Sequence, residues 1–159
     1  MTSPSTPDRL RIAYHEAGHA AVARALGLRI ESVVIQLAGA GDSFAEIDCD
    51  PARLDHALAI KSLLAGGLAE RRAGYPPEEN SRSALDFLWA QGEAIEAAGG
   101  RGNPGVATRA EQLLEQLRAE VRELLERPDV WAGVERLAAE LLAVGHVAGE
   151  RAHQILAGV

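Results

Sequence analysis

The sequence predicts a mainly α fold (α+β), in which a helical domain carries a small β-hairpin and ends in a C-terminal helical bundle. Alanine and leucine abound, whereas aromatic residues make up only 4% of the 159 residues, and this composition favours helices. Apolar residues recur at three- and four-residue steps through most of the chain, which is the spacing of one helix face. Only residues 29–48 combine many Val and Ile residues with partial alternation, as strands do.

The N-terminal half is predicted to form two helices on either side of the hairpin. In order, the predicted elements are a flexible tail (1–6), a helix (7–26), two strands (about 29–37 and 43–49) and a helix (about 51–72). Thr6 offers a capping hydroxyl to the first helix, and Gly27 suits a left-handed residue after its end. Asp50 and Pro51 are residue types that open a helix, so the second helix is expected to begin there.

The C-terminal half is predicted to be helical throughout. In order, the predicted elements are a helix capped by Ser81 or Ser83 that runs to about Ala98, a Gly-rich linker (99–105), a long charged helix (105–127) and two further helices (near 130–143 and 148–157). Pro128 is expected to end the long helix, because proline lacks the amide that would continue it. A chain of this length can bury a sizeable core, so residues 1–159 are expected to form one domain.

Charge and hydropathy exclude several kinds of partner. The formal net charge is −7 and no cluster of Lys or Arg stands out, so nucleic acid is not an expected partner. The chain has no run of about 18 apolar residues, so no membrane segment is expected. Cys49 is the only cysteine, which suits a reducing compartment, and we expect a cytoplasmic location.

Residues 13–27, "AYHEAGHAAVARALG", contain a spacing typical of zinc hydrolases. His15 and His19 are four residues apart, so on a helix both rings project from one face and can bind one zinc ion at about 2.0–2.1 Å. Glu16 lies about 100° around the helix, beside the metal, where it could accept a proton from water. The alternative is that two core histidines share the apolar face of this helix.

A hydrolytic zinc site needs a third protein ligand and one open position. The metzincin motif would continue with Gly at position 22 and His at position 25, and the presence of Val22 and Ala25 excludes that class. The third ligand must therefore come from farther along the chain. The candidates are Glu70, Asp86 and, less favoured, His56.

Gly66 and Gly67 lie in the middle of a predicted helix, where each costs about 1 kcal/mol relative to alanine. Such a cost indicates that another backbone comes close. The helix that carries Ala17 and Gly18 is the expected neighbour, because its residues there are also small. This packing would bring the helix of Glu70 under the metal.

Four segments of the chain resemble the peptidase domain of the FtsH family, the M41 zinc metallopeptidases. In chain order they are "AYHEAGHAAVARALG" (13–27), "LLAGGLAERRAG" (63–74), "SRSALDFLWA" (81–90) and "VERLAAELLAVGHVAGERAHQIL" (134–156). The resemblance covers most of residues 10–157 and keeps the elements in the same order. It implies a helical zincin-like peptidase domain that stands without the ATPase module and the membrane anchor of the family.

The resemblance implies a Zn²⁺ cofactor and a role for each matching residue. His15, His19 and Asp86 are implied to be the zinc ligands, and Glu16 the general base that takes the proton of the attacking water. Glu70 is implied to lie close to the site, where it would orient a histidine, and it remains the alternative third ligand.

The function implied is that of a zinc-dependent metalloendopeptidase, which hydrolyses peptide bonds in unfolded or flexible protein segments. A polypeptide is then the substrate, and a homo-oligomer or a separate ATPase is the expected partner. Trp89-Ala90 stand where the family has Ala-Thr, and the loop beyond is short and Gly-rich. The alternative is a catalytically inactive or zinc-structural helical binding or regulatory module. A small metalloprotease that shares only the His-Glu-x-x-His motif is disfavoured by Gly66-Gly67.

Overall fold

Six helices and three short strands make up the described part of the chain. The computed structural model describes residues 6–36, 43–48, 55–77 and 81–159. Its elements are α1 (Thr6–Ala25), β1 (Arg29–Val34), β2 (Phe44–Asp48), α2 (His56–Arg72), α3 (Arg82–Ala97), α4 (Val106–Glu126), α5 (Pro128–Val144), β3 (His146–Ala148) and α6 (Gly149–Ala157). The mainly α (α+β) fold class predicted from the sequence is confirmed.

Helix α1 is the central element, and it is buried around most of its circumference. It packs against α2 on one side and α5 on another, and it also contacts the sheet. The sequence pattern predicts one apolar face that includes both histidines. The alanines on the other faces are buried as well; they are Ala13, Ala17, Ala20 and Ala21. Alanine gives little periodic signal because it is common on both buried and exposed faces, so the pattern shows only part of the buried surface.

Helices α1 and α2 approach each other so closely that their contact has no room for larger side chains. A Cβ atom at Gly18 would overlap the Cβ of Ala69 and lie 3.0 Å from the carbonyl oxygen of Ala65. The predicted pairing of the Gly18 helix with the helix of Gly66 is therefore confirmed. Gly67 is different, because it faces α3: a Cβ there would lie 3.2 Å from the Cβ of Ser83.

The three strands form one antiparallel sheet in the order β2-β1-β3. The predicted hairpin is confirmed, with both strands shorter than expected; its turn lies outside the described residues. Strand β3 was not predicted, because three residues between two helices are too few to show alternation. A Cβ at Gly149, directly after β3, would collide with the carbonyl oxygen of Ile30, so the start of α6 is pressed against β1.

Two predicted helix starts differ from the structure. Helix α2 begins at His56, since Asp55 is its N-cap and accepts a hydrogen bond of 2.7 Å from the amide of Leu58; the residues of the predicted start, Asp50 and Pro51, lie outside the described residues. Helix α1 begins at Thr6 itself, one residue earlier than predicted. The tail before it, residues 1–5, and the cysteine at position 49 lie outside the described residues.

The remaining boundaries agree with the prediction to within a few residues. Ser81 caps α3 and accepts a hydrogen bond from the amide of Ala84, while Ser83 takes a different role. Pro128 separates α4 from α5, and Gly145 ends α5 with a φ of 74°. Helices α4 and α5 pack on each other; α4 also packs on α2 and α3, and α5 packs on α1 and α6, which forms the predicted C-terminal bundle. No described helix combines the length and the apolar character that crossing a bilayer requires.

Candidate metal centre

Two side chains of α1 meet one side chain of α3 that is distant from them in sequence. His15 and His19 project from α1, and Asp86 projects from α3. The two Nε2 atoms lie 3.0 Å apart, and Asp86 Oδ2 lies 3.1 Å from that of His15 and 3.2 Å from that of His19. The structure thus brings together both predicted histidines and the favoured third ligand.

The donor atoms of this cluster fit a zinc ion in both spacing and chemistry. Ligands at 2.0–2.1 Å in a tetrahedron lie roughly 3.3 Å from one another, close to the three observed separations. Two imidazoles and one carboxylate form a donor set that hydrolytic zinc uses. Among the residues that the structure describes, these three are the potential ligands at the cluster.

The outer nitrogen of each histidine has an acceptor that fixes the ring. His15 Nδ1 lies 2.5 Å from Glu70 Oε1, and His19 Nδ1 lies 2.7 Å from the carbonyl oxygen of Ser62. A neutral imidazole that donates from Nδ1 keeps its lone pair on Nε2. When either ring is neutral, its lone pair is therefore directed into the cluster, as metal-binding histidines require.

Glu70 is buried and contacts the ring of His15 rather than the cluster of donors. Its Oε1 also accepts a hydrogen bond of 2.6 Å from Ser83 Oγ, and the guanidinium of Arg11 lies 3.8 Å from its Oε2. Glu70 is not a surface residue, because only 6% of it is exposed. Its position matches the role of orienting a histidine.

His56, the third candidate ligand, lies elsewhere. Its Nδ1 is 2.6 Å from Glu93 Oε2 in an exposed pair at the start of α2. Two apolar residues close to Asp86 in sequence do not cover its carboxylate. Leu85 and Trp89 face solvent, and the Asp86 carboxylate is covered because it points towards the histidines of α1.

The charges in the cluster stabilise one another. Burial disfavours the protonated form of His15, but hydrogen bonds with Asp86 and Glu70 outweigh burial and raise the pKa of His15 to about 9. Burial alone would raise the pKa values of both carboxyl groups. Hydrogen bonds with His15 and His19 instead lower that of Asp86, and hydrogen bonds with His15 and Ser83 lower that of Glu70. Both carboxylates are therefore ionised at neutral pH.

Glu16 lies beside the cluster on the next position of α1 and is only 2% exposed. Burial raises the pKa of its carboxyl group, although the nearby His19, His15 and Arg82 oppose the change. An ionised carboxylate in such surroundings binds a proton more readily than one in water. This is the property that a general base needs.

Gly66 occupies the space directly beneath the two rings. A Cβ at this position would lie 2.5 Å from Nε2 of His19 and 2.6 Å from Nε2 of His15. The sequence indicates a close approach at Gly66, but not that the neighbours are the histidine rings. Three further contributors have no recognisable sequence signal: the carbonyl of Ser62, the hydroxyl of Ser83 and the guanidinium of Arg82.

No family model and no curated protein matches this sequence. The candidate site is therefore defined by its side-chain geometry. Three observations carry it: the three converging donors, the two acceptors that fix the histidine rings, and the buried carboxylate of Glu16 next to them.

Replacing Gly66 with alanine tests the space beneath the rings. Gly66→Ala must displace at least one imidazole, so we expect zinc affinity to fall by about tenfold or more. Gly92→Ala is the matched control, since a Cβ at this helical glycine meets nothing within 4 Å. The control should keep zinc and raise the free energy of unfolding by about 0.5–1 kcal/mol. Competition with a chelator and urea unfolding measure both effects; an unchanged zinc affinity in Gly66→Ala contradicts this account.

The two carboxylates are expected to affect zinc binding unequally. Asp86→Asn removes a donor whose oxygen lies among the ligands, so affinity should fall more than about 100-fold, whereas Glu70→Gln should cost the 10–100-fold typical of a residue that orients a ligand. Glu93→Gln, which changes only the exposed pair with His56, is the control. Chelator competition ranks the three variants. If Glu70→Gln loses the metal and Asp86→Asn keeps it, Glu70 is the third ligand.

Zinc affinity is expected to rise with pH up to about 9. Below its pKa of about 9 the His15 ring carries a proton, and zinc binds only neutral imidazole, so uptake must displace that proton. One displaced proton changes the apparent affinity by about tenfold per pH unit. Chelator competition at several pH values, corrected for protonation of the chelator, gives the slope. The slope should decrease in Glu70→Gln, and a flat profile in the wild type would contradict the raised pKa.

Proposed function

We propose that this protein is a zinc-dependent metalloendopeptidase that cleaves unfolded or flexible polypeptide segments. The single observation that carries the proposal is the meeting of His15, His19 and Asp86 donor atoms 3.0–3.2 Å apart, with the buried carboxylate of Glu16 beside them. The first two ligands and the base come from one helical turn, and the third comes from another helix. Two histidines that only filled the core would need neither a third donor atom nor a buried carboxylate beside them.

Each side chain has a distinct part in the proposed reaction. His15, His19 and Asp86 would hold the zinc ion, while Glu70 and the carbonyl of Ser62 keep the histidine rings in the binding tautomer. Zinc at such a site acts as a Lewis acid that polarises the scissile carbonyl and makes water more acidic. Glu16 takes a proton from the attacking water on its carboxylate and passes it to the leaving amine.

The edge strand β2 supports the choice of an extended polypeptide as substrate. Strand β2 is an outer strand of the sheet. Its start is linked to Glu16 through Arg82, whose Nη1 contacts both the carbonyl oxygen of Ser43 and Glu16 Oε1. A substrate that adds to this edge through main-chain hydrogen bonds would pass close to the base. Only an unfolded or flexible segment can adopt that conformation.

The resemblance to the FtsH (M41) family supports the same proposal. The His-Glu-x-x-His helix, the Gly-Gly helix and the aspartate helix are the segments that meet at the cluster. As part of the proposal, a second copy of the chain or a separate ATPase delivers the polypeptide. The location proposed is the cytoplasm, in line with a single cysteine.

The competing proposal is an inactive module that keeps zinc for structural purposes. Structural zinc sites are closed by four protein ligands, whereas catalytic sites have three and an open position. The described residues supply three at this cluster, which favours the catalytic alternative. An assay of peptide hydrolysis by the zinc-loaded protein distinguishes them, since only the catalytic site would cleave.

Replacing Glu16 separates chemistry from metal binding. Glu16→Gln should keep the fold and the zinc but reduce hydrolysis by about 10²–10⁴-fold, the usual contribution of a general base. His19→Ala is the contrasting variant and should lose the zinc. Zinc content and cleavage of an unfolded labelled polypeptide are measured on both. Full activity in Glu16→Gln would remove this residue as the base, and a wild-type protein that binds no zinc would exclude the metallopeptidase function.

A further inference from the structure

We propose that Arg82 is a positioning residue, which holds the Glu16 carboxylate in place and ties it to the edge strand that would receive the substrate. This inference rests on the proposed peptidase function. It assigns a role to a side chain that contributes no ligand to the cluster and to which the sequence analysis gave none.

The guanidinium of Arg82 spans two parts of the site. Its Nη1 lies 3.4 Å from Glu16 Oε1, and the same nitrogen donates a hydrogen bond to the main-chain carbonyl of Ser43. Glu16 is on α1, Ser43 directly precedes β2, and Arg82 is the first residue of α3. One side chain therefore joins the base, the edge strand and the helix that carries Asp86.

Glu16 depends on this contact more than its burial suggests. In the described ranges of the chain, Arg82 provides the one hydrogen bond or ion pair to the Glu16 carboxylate. A glutamate side chain has several rotatable bonds, so burial alone does not fix the direction of its oxygens. The ion pair with Arg82 selects one direction, and the distance from the base to its proton donor must be short for transfer.

The other end of the bridge is itself fixed. Ser43 is buried, and its hydroxyl accepts a hydrogen bond of 3.0 Å from the amide of Gln36, on the far side of the hairpin. The carbonyl that Arg82 contacts is therefore held at the start of β2. The same guanidinium therefore contacts both the Glu16 carboxylate and the strand with which a substrate would pair.

Helix stability does not explain an arginine at this position. Arg82 follows the N-cap Ser81, where the partial positive charge of the helix end disfavours a cation. Its side chain is 39% exposed and could extend into solvent, yet it is turned towards the buried Glu16. Its contacts with Glu16 and with the carbonyl of Ser43 offset part of that unfavourable placement.

The experiment compares kcat and KM for cleavage of an unfolded labelled polypeptide by the zinc-loaded full chain. In Arg82→Ala we expect kcat to fall about 10–100-fold, as misplacement of a reacting group does, with a smaller change in KM. Arg82→Lys should keep a higher kcat than Arg82→Ala. Millimolar guanidinium added to Arg82→Ala should restore part of the lost kcat. Arg122→Ala, which removes an exposed arginine from α4 outside the site, should behave as the wild type.

The possible failures can be told apart. If the wild type cleaves the polypeptide and Arg82→Ala keeps the kcat of Arg122→Ala or exceeds it, the assignment to Arg82 is overturned while the proposed function stands. A loss that neither Arg82→Lys nor guanidinium reverses also overturns it, because the loss is then structural. If the zinc-loaded wild type cleaves nothing, the proposed function fails and this assignment fails with it.

Discussion

The close approach of α1 and α2 is the constraint on which the site depends. Gly18 lets the backbone of α1 reach Ala65 and Ala69, and Gly66 leaves room for the two imidazole rings above α2. At this separation Glu70 and the carbonyl of Ser62 both come within hydrogen-bond distance of the histidines. A wider spacing would separate the rings from both acceptors. Glycines that weaken α2 as an isolated helix are thus what allow it to support the cluster.

Because the site is buried, each missing partner in its polar network costs free energy. His15, Glu16 and Glu70 are all nearly inaccessible to solvent, so each polar atom needs a partner inside the protein. Leaving one buried partner unsatisfied costs about 1–3 kcal/mol, which is a large share of the stability of a small domain. Ser83 and Arg11 at Glu70 reduce that cost. Stability and metal affinity are therefore expected to respond together when the network is altered.

The parts of the site that depend on local spacing could be predicted from the sequence, and those that depend on packing could not. His15, Glu16 and His19 lie within two helical turns, so their shared placement follows from helix geometry. Asp86 was the favoured third ligand only because its segment resembles a known one, since no local rule brings α3 to α1. The carbonyl of Ser62 is a main-chain group that every residue has, and Arg82 looks like an ordinary helix-surface residue. Strand β3 was missed for a similar reason, because tertiary pairing alone defines it.

The sheet order has a consequence for which amides are open to solvent. Strand β1 has a neighbour on each side, because β3 pairs along the edge that the hairpin leaves uncovered. Over Ser32–Val34, where β3 pairs with it, its main-chain amides are engaged within the protein and belong to the slowly exchanging class. Among the described strands β2 pairs with β1 alone, so its other edge is paired with none of them. The two strands of one hairpin thus differ in pairing, and the difference comes from the three residues of β3, which follow β1 by more than a hundred positions in the chain.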